Sequence, residues 1–218
     1  MSRIIVFGGH GRIALLLAPL LVARGDEVTG VIRNPEHASD VEATGAEALV
    51  ADIENLDVDE LAEIIRGHDA VVWSAGAGGG SPERTYAVDR DAAQRSMDAA
   101  ERAGVRRYVM VSWLGSTADH GVPEGDSFFP YADAKWAADE HLRGSGLEGT
   151  ILAPGTLTFD EPTARIRIDP AGSGAVSRAD VAGVIAASLH GPCTIGRTIR
   201  FGNGDAATAV PITEALGC

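Results

Sequence analysis

Short unbroken apolar runs alternate with longer stretches of helical periodicity along most of the chain. The runs IIVF at 4–7, VTGVI at 28–32, AVVW at 70–73 and RYVMV at 107–111 have strand length and are rich in β-branched and aromatic residues. Runs of this kind fit strands covered on both faces. The pattern predicts strands at 3–7, 27–32, 46–51, 69–74, 106–112 and 148–152, and helices at 12–23, 36–44, 56–66, 83–103 and 131–143. Strands alternating with helices imply right-handed crossovers, and hence an α/β fold with a doubly wound parallel sheet. After Pro154 the rhythm loosens into a short strand at 165–168, a helix at 178–189 capped by Ser177, and a late strand at 197–201. No repeat or linker breaks the chain, so its 218 residues read as one domain, with about residues 156–218 forming a small extension on the substrate side.

Charge narrows the function classes. Thirty-one acidic residues oppose 18 basic ones, a formal charge of −13. A nucleic-acid partner would need a basic face, and a membrane-surface role would need a polybasic one. The longest apolar run, 13–23, contains Pro19 and is too short to span a bilayer. The two cysteines, Cys193 and Cys218, cannot build a disulfide framework and point to a reducing compartment, the cytoplasm. Six scattered histidines lack ligand spacing, so no metal is expected. Monomer and homodimer both remain open.

The first strand runs into Gly8-Gly9-His10-Gly11-Arg12-Ile13-Ala14, which opens the first helix. Glycines 8 and 11 permit a tight turn and close backbone approach, and small Ala14 lets the helix pack on the strand. The free N–H groups and positive dipole end of that helix suit a pyrophosphate. His10 is expected to contribute loop backbone rather than chemistry. At the end of the second strand, where a carboxylate would hold the ribose of NAD, the chain has Arg33. A guanidinium there favours the 2′-phosphate of NADP, with NAD a possible second cofactor and Glu36 close by. Asp52 and Ile53 close the third strand, placed either to contact adenine or, for Asp52, to cap a turn. Ala75 and Gly76 follow the fourth strand and border the cofactor, and Gly78, Gly79 and Gly80 form a mobile loop.

The chain has 17 arginines and one lysine. That lysine, Lys135, lies four residues after Tyr131 on one helical face. A nearby ammonium would lower the phenol's pKa and could donate to ribose hydroxyls.

Together, the Gly-rich start, Arg33, Asp52, the Y-x-x-x-K helix and Ala153-Pro154-Gly155 resemble the short-chain dehydrogenase/reductase superfamily. The nearest likeness is to its short atypical NAD(P)-binding members, related to sugar epimerases and biliverdin-reductase-like proteins. The stretch YADAKWAADEHLRGSGLEGTILAPG carries most of it. The resemblance implies a Rossmann fold, with Tyr131 as acid/base, Lys135 on the nicotinamide ribose, and Pro154 and Gly155 flanking the nicotinamide. Ser112 is the implied catalytic serine, with Ser116 a further candidate. The chain departs from the pattern at Ala14 in place of the third loop glycine, at Ala153 in place of an arginine, and at Trp113 in place of a second serine. Trp113, the 114–130 loop with Phe128 and Phe129, and residues 156–159 are expected to wall a substrate pocket. The expected function is an NADP-dependent oxidoreductase acting on a small carbonyl, quinone-like or planar molecule. The alternatives are a non-catalytic NAD(P)-binding sensor and an NAD(P)-dependent epimerase or isomerase.

Overall fold

The computed structural model describes residues 1–79, 81–170, 172, 174–205 and 207–218. Its strands are β1 (Arg3–Phe7), β2 (Glu27–Ile32), β3 (Glu47–Val50), β4 (Ala70–Trp73), β5 (Arg107–Val111), β6 (Glu148–Pro154), β7 (Leu157–Thr158), β8 (Arg165–Ile168), β9 (Val176–Ser177), β10 (Thr198–Gly202) and β11 (Val210–Pro211). The helices are α1 (Ala14–Ala23), α2 (Ala38–Glu42), α3 (Val58–Ile65), α4 (Pro82–Thr85), α5 (Ala93–Ala103), α6 (Phe129–Gly144), α7 (Arg178–His190) and α8 (Ile212–Leu216). The long helix expected at 83–103 is present as α4 and α5 joined by a π-helical stretch, Tyr86–Ala92. The expected 36–44 helix begins as a 3-10 turn, Pro35–His37, in which the Asn34 side chain accepts from the Glu36 amide.

Nine strands form one sheet in the order β11-β8-β10-β6-β5-β4-β1-β2-β3. Seven of them, from β10 to β3, pair in parallel. The expected parallel sheet ends in an antiparallel edge: β8 runs antiparallel to β10, and β11 antiparallel to β8. The small pair β7–β9 lies apart from the main sheet. Residues beyond 156 thus extend the same sheet. Side chains alternate between its two buried faces, as the apolar runs require. Ile4 and Val6 of β1 join one core cluster with α1 and α7 residues, while Ile5 and Phe7 join another with α3 and α5 residues. Among the described residues, no helix is long and apolar enough to cross a membrane.

Two local devices hold the elements. Asp57 caps α3 in a reciprocal box with Glu60, which starts the helix later than the expected residue 56. Ser177 caps α7 as expected, accepting from the Asp180 amide. The buried Asp180 carboxylate accepts in turn from the Thr163 and Ala164 amides, the Ser177 hydroxyl and the Asn203 side-chain amide. Those bonds hold its pKa below the usual carboxylate value despite burial.

The two cysteines are joined as a Cys193–Cys218 disulfide, with Cα atoms 5.5 Å apart. This bond removes the support that the two cysteines gave to a reducing compartment. The fold brings residues 193 and 218 together through β10 and α8, a proximity that a separation of 25 residues did not reveal. Gly80 of the expected mobile loop lies outside the described residues.

Candidate functional site

The sheet changes winding direction between β1 and β4, and the loops leaving these two strands meet there. Crevices at such switch points are where open α/β sheets bind ligands. Gly8 has φ +82°, and a Cβ there would lie 2.7 Å from Ala75 Cα. Gly9, which the sequence reading did not single out, passes so close to β2 that its Cβ would meet Gly30 at 2.7 Å. The Gly11 amide donates to Gly8 O at 2.8 Å and closes the turn. Among the described residues, the amides of Arg12 and Ile13 donate to nothing, so they are available to an anion at the start of α1. Ala14 is buried against the sheet, the packing its small side chain allows.

Three adjoining cavities run from this loop along the carboxyl ends of the strands. The first, about 480 Å³, is lined by Gly8, His10, Gly11, Arg33, Asp52, Ile53, Ala75 and Gly76. The Arg33 guanidinium pairs with Glu54 at 2.7 Å, and Glu54 also pairs with Arg84 at 3.0 Å. Asp52 accepts from the Glu54 amide and the Asn55 side chain, so it caps a turn while lining the cavity. The His10 ring stacks on His37 at 3.7 Å and contacts Asp40 at 2.9 Å. That makes it an ordered side chain at the rim, beyond the backbone role expected for it.

The second cavity, about 510 Å³, is lined by Ile13, Asp89, Ser112, Tyr131 and Lys135 among others. The third, about 650 Å³, contains Trp113, Pro154 and Gly155. Ser112, Phe128, Tyr131 and Leu157 belong to both, so they form the wall between them. Gly115 lets the Trp113 ring fold back, since a Cβ there would fall 2.1 Å from the ring. Trp113, Phe128 and Tyr131 then form one aromatic cluster, with ring centroids 5.0 to 6.4 Å apart. Phe129 packs on His120 instead, and Phe159 is exposed, so neither lines this cavity as expected. Arg12 also stands outside the three linings, its guanidinium 4.9 Å over the Phe159 ring.

The Tyr131–Lys135 pair differs from its expected electrostatics. Lys135 is almost completely buried, and its Nζ donates to Val111 O at 2.7 Å. Burial lowers the ammonium's pKa, against the opposing pull of Asp139 and Asp89. The phenol's pKa is pushed up rather than down, first by burial and then by the same two carboxylates. Both aspartates were missed in the sequence. Asp139 sits four residues beyond Lys135 and eight beyond Tyr131, so it continues the same helical face; that spacing was the available signal. Its Oδ2 accepts from both serine candidates, Ser112 at 2.5 Å and Ser116 at 2.6 Å, while Oδ1 has no partner among the described residues. Burial raises its pKa, against the lowering effect of Lys135 and the two serines. Asp89, on the π-helical stretch, accepts from the Ala77 amide at 2.9 Å, and a Cβ on Gly76 would press against its Oδ1 at 3.0 Å.

Residues 8–192 match the family model described as NAD(P)H-binding. Over 217 residues the chain is 34% identical to a Bacillus subtilis (strain 168) protein named as an uncharacterized sugar epimerase, YhfK, with 98% of each covered. A Bacillus halodurans structure classed with the NAD-dependent epimerases/dehydratases is 32% identical, with a TM-score of 0.89 over 100% of this chain and 99% of that one. The oxidoreductase YlbE of Lactococcus lactis is 28% identical, with a TM-score of 0.86 over 99% of this chain and 95% of its own.

Proposed function

This chain belongs to the NAD(P)H-binding family, and we propose that it is an NADP-dependent oxidoreductase acting on a small carbonyl or quinone-like substrate. The observation that carries this reading is the shared wall: Tyr131 and Ser112 border both the cavity that holds Lys135 and the cavity beyond it. The cradle fits a dinucleotide. The Gly8–Gly11 turn keeps side chains away from the pyrophosphate, and the free amides of Arg12 and Ile13 meet its charge. Arg33 stands where a 2′-phosphate would replace Glu54 as its partner. Bound nicotinamide supplies or accepts the hydride.

The chain's own residues handle the proton. Burial and two flanking carboxylates keep the Tyr131 phenol protonated, the state from which it donates to a developing alkoxide. Lys135, on the inner side of that phenol, offers its remaining N–H donors to ribose hydroxyls. Ser112 commits its hydroxyl proton to Asp139. A protonated Asp139 would donate to the serine instead and release that hydroxyl toward the substrate oxygen.

The name of the Bacillus subtilis relative favours epimerisation as a second reading. The same tyrosine would serve it, but without net cofactor turnover. A binder without turnover would have no use for Tyr131 at the shared wall. The test is a thermal-shift comparison of NADPH and NADH, followed by nicotinamide absorbance with carbonyl and quinone panels. Net oxidation of NADPH that is lost in Tyr131→Phe supports the reductase. Sugar-nucleotide conversion at constant absorbance replaces it with the epimerase, and tight NADPH binding with neither reaction replaces it with a sensor.

A further inference from the structure

We propose that the third cavity accepts a substrate carrying a carboxylate, a flat conjugated or aromatic carbonyl compound held by Arg178 and Arg200; this rests on the reductase reading and names its substrate class. In a molecule of net charge −13, the described residues lining this cavity include two arginines and no aspartate, glutamate or histidine. The remaining wall carries no charge: Ser112, Tyr131 and Thr156 are its hydroxyl groups, and Trp113, Phe128 and Leu157 supply flat and aliphatic surface.

The ionic surroundings of these two arginines leave them able to meet an anion. Arg24, Arg33, Arg84 and Arg102 each reach a carboxylate at 2.6 to 3.0 Å. Among the described residues, Arg178 and Arg12 reach none, a state they share with Arg3, Arg95, Arg107, Arg165, Arg167 and Arg197. Both lie over the same Phe159 ring, at 4.1 and 4.9 Å from its centroid. The acid nearest Arg178 in sequence, Asp180, already accepts from Thr163, Ala164, Ser177 and Asn203. Arg178 itself donates once, to Thr158 O at 2.9 Å, and keeps its other donors. Among the described residues, the Arg200 guanidinium meets only the exposed Asp169, at 3.4 Å. Arg178 and Arg12, over one ring and without a carboxylate partner among the described residues, repel each other, and burial together with that repulsion lowers the Arg178 pKa. A ligand carboxylate relieves that repulsion and suits the planar fork of an arginine. Tyr131 belongs to the same lining, so a substrate held by the arginines shares its cavity with the phenol. The carbonyl carbon then receives hydride and its oxygen receives the tyrosine proton, giving the alcohol.

The test uses the intact protein saturated with NADPH, and isothermal titration of benzoate against benzamide. Benzoate is expected to bind at least about tenfold more tightly, since a charge-assisted bidentate pair is at stake. Arg178→Gln and Arg200→Gln should each remove most of that preference, and the double variant all of it. Arg178→Lys should restore part, and thermal melts should confirm that each variant is folded. In parallel, 4-carboxybenzaldehyde should exceed methyl 4-formylbenzoate in kcat/KM. Equal binding of benzoate and benzamide overturns the proposal, as does a preference that survives in the double variant. It is also overturned if Arg178→Gln weakens NADPH alone, because the arginine then reads the cofactor. Benzoate selectivity without aldehyde reduction keeps the anion site and discards the reductase, whereas ester and acid reduced alike keeps the reductase and discards the anion site.

Discussion

Burial and the carboxylates of Asp89 and Asp139 all act on Tyr131 in the same sense, and its proton is correspondingly hard to remove. Tyr131→Phe retains the ring contacts with Trp113 and Phe128 but lacks the proton, and it should lower kcat by about 10²–10⁴-fold with NADPH affinity little changed. Asp139→Asn tests the electrostatics directly. Removing one negative neighbour makes the phenolate easier to form, so the Tyr131 pKa falls. If reduction needs the protonated phenol, the alkaline limb of the kcat/KM profile then moves to lower pH. An unmoved limb would separate Asp139 from the tyrosine's titration. At the far end of the site, Arg33→Ala should cost about 1–3 kcal/mol of NADPH affinity and leave NADH almost unaffected in titration calorimetry. Glu54 keeps Arg84 as a partner in that variant, so the loop has a reason to stay in place. Equal losses for both cofactors would take Arg33 out of 2′-phosphate recognition.

At the scale of elements, legibility followed burial. β1, β4 and β5 read directly because both of their faces are covered and their sequences are continuously apolar. β7, β9 and β11 are two residues long and exist through their partners, so no local periodicity could announce them. The antiparallel turn of β8 was hidden for the same reason: Arg165-Ile166-Arg167-Ile168 states a strand but not its direction. In the site, the glycine loop and the Tyr131–Lys135 spacing were visible. The orientation of the lysine toward Val111 O was not, because a backbone acceptor on a neighbouring strand leaves no mark in sequence. Asp180 shows how such long-range bonds fix an element. Asp180→Ala strands four buried or half-buried donors and should cost about 2–4 kcal/mol, read as a lowered Tm. Because this carboxyl's pKa is depressed in the fold, its stabilisation is complete above the unfolded value near 4 and is lost as pH falls through the folded one. The Tm gap between wild type and variant should therefore shrink in acid.

The whole molecule sets a strongly acidic body around a seam of arginines. The charge is −13, while Arg33, Arg84, Arg178 and Arg200 line the crevice at the carboxyl ends of the strands. The two act over different distances. At low ionic strength, with a Debye length of about 30 Å at 0.01 M, an approaching anion meets the net negative body first. Near 0.1 M that length falls to about 10 Å, and the body is screened while the short-range arginine contacts persist. Stopped-flow association of NADPH should therefore accelerate as salt rises across this range, the reverse of an enzyme steered by a globally positive face. A rate that falls with salt from the outset would mean that the seam's field reaches beyond the acidic body. With the expected sign, the protein takes up its anionic ligands most slowly in dilute buffer and gains speed toward physiological ionic strength.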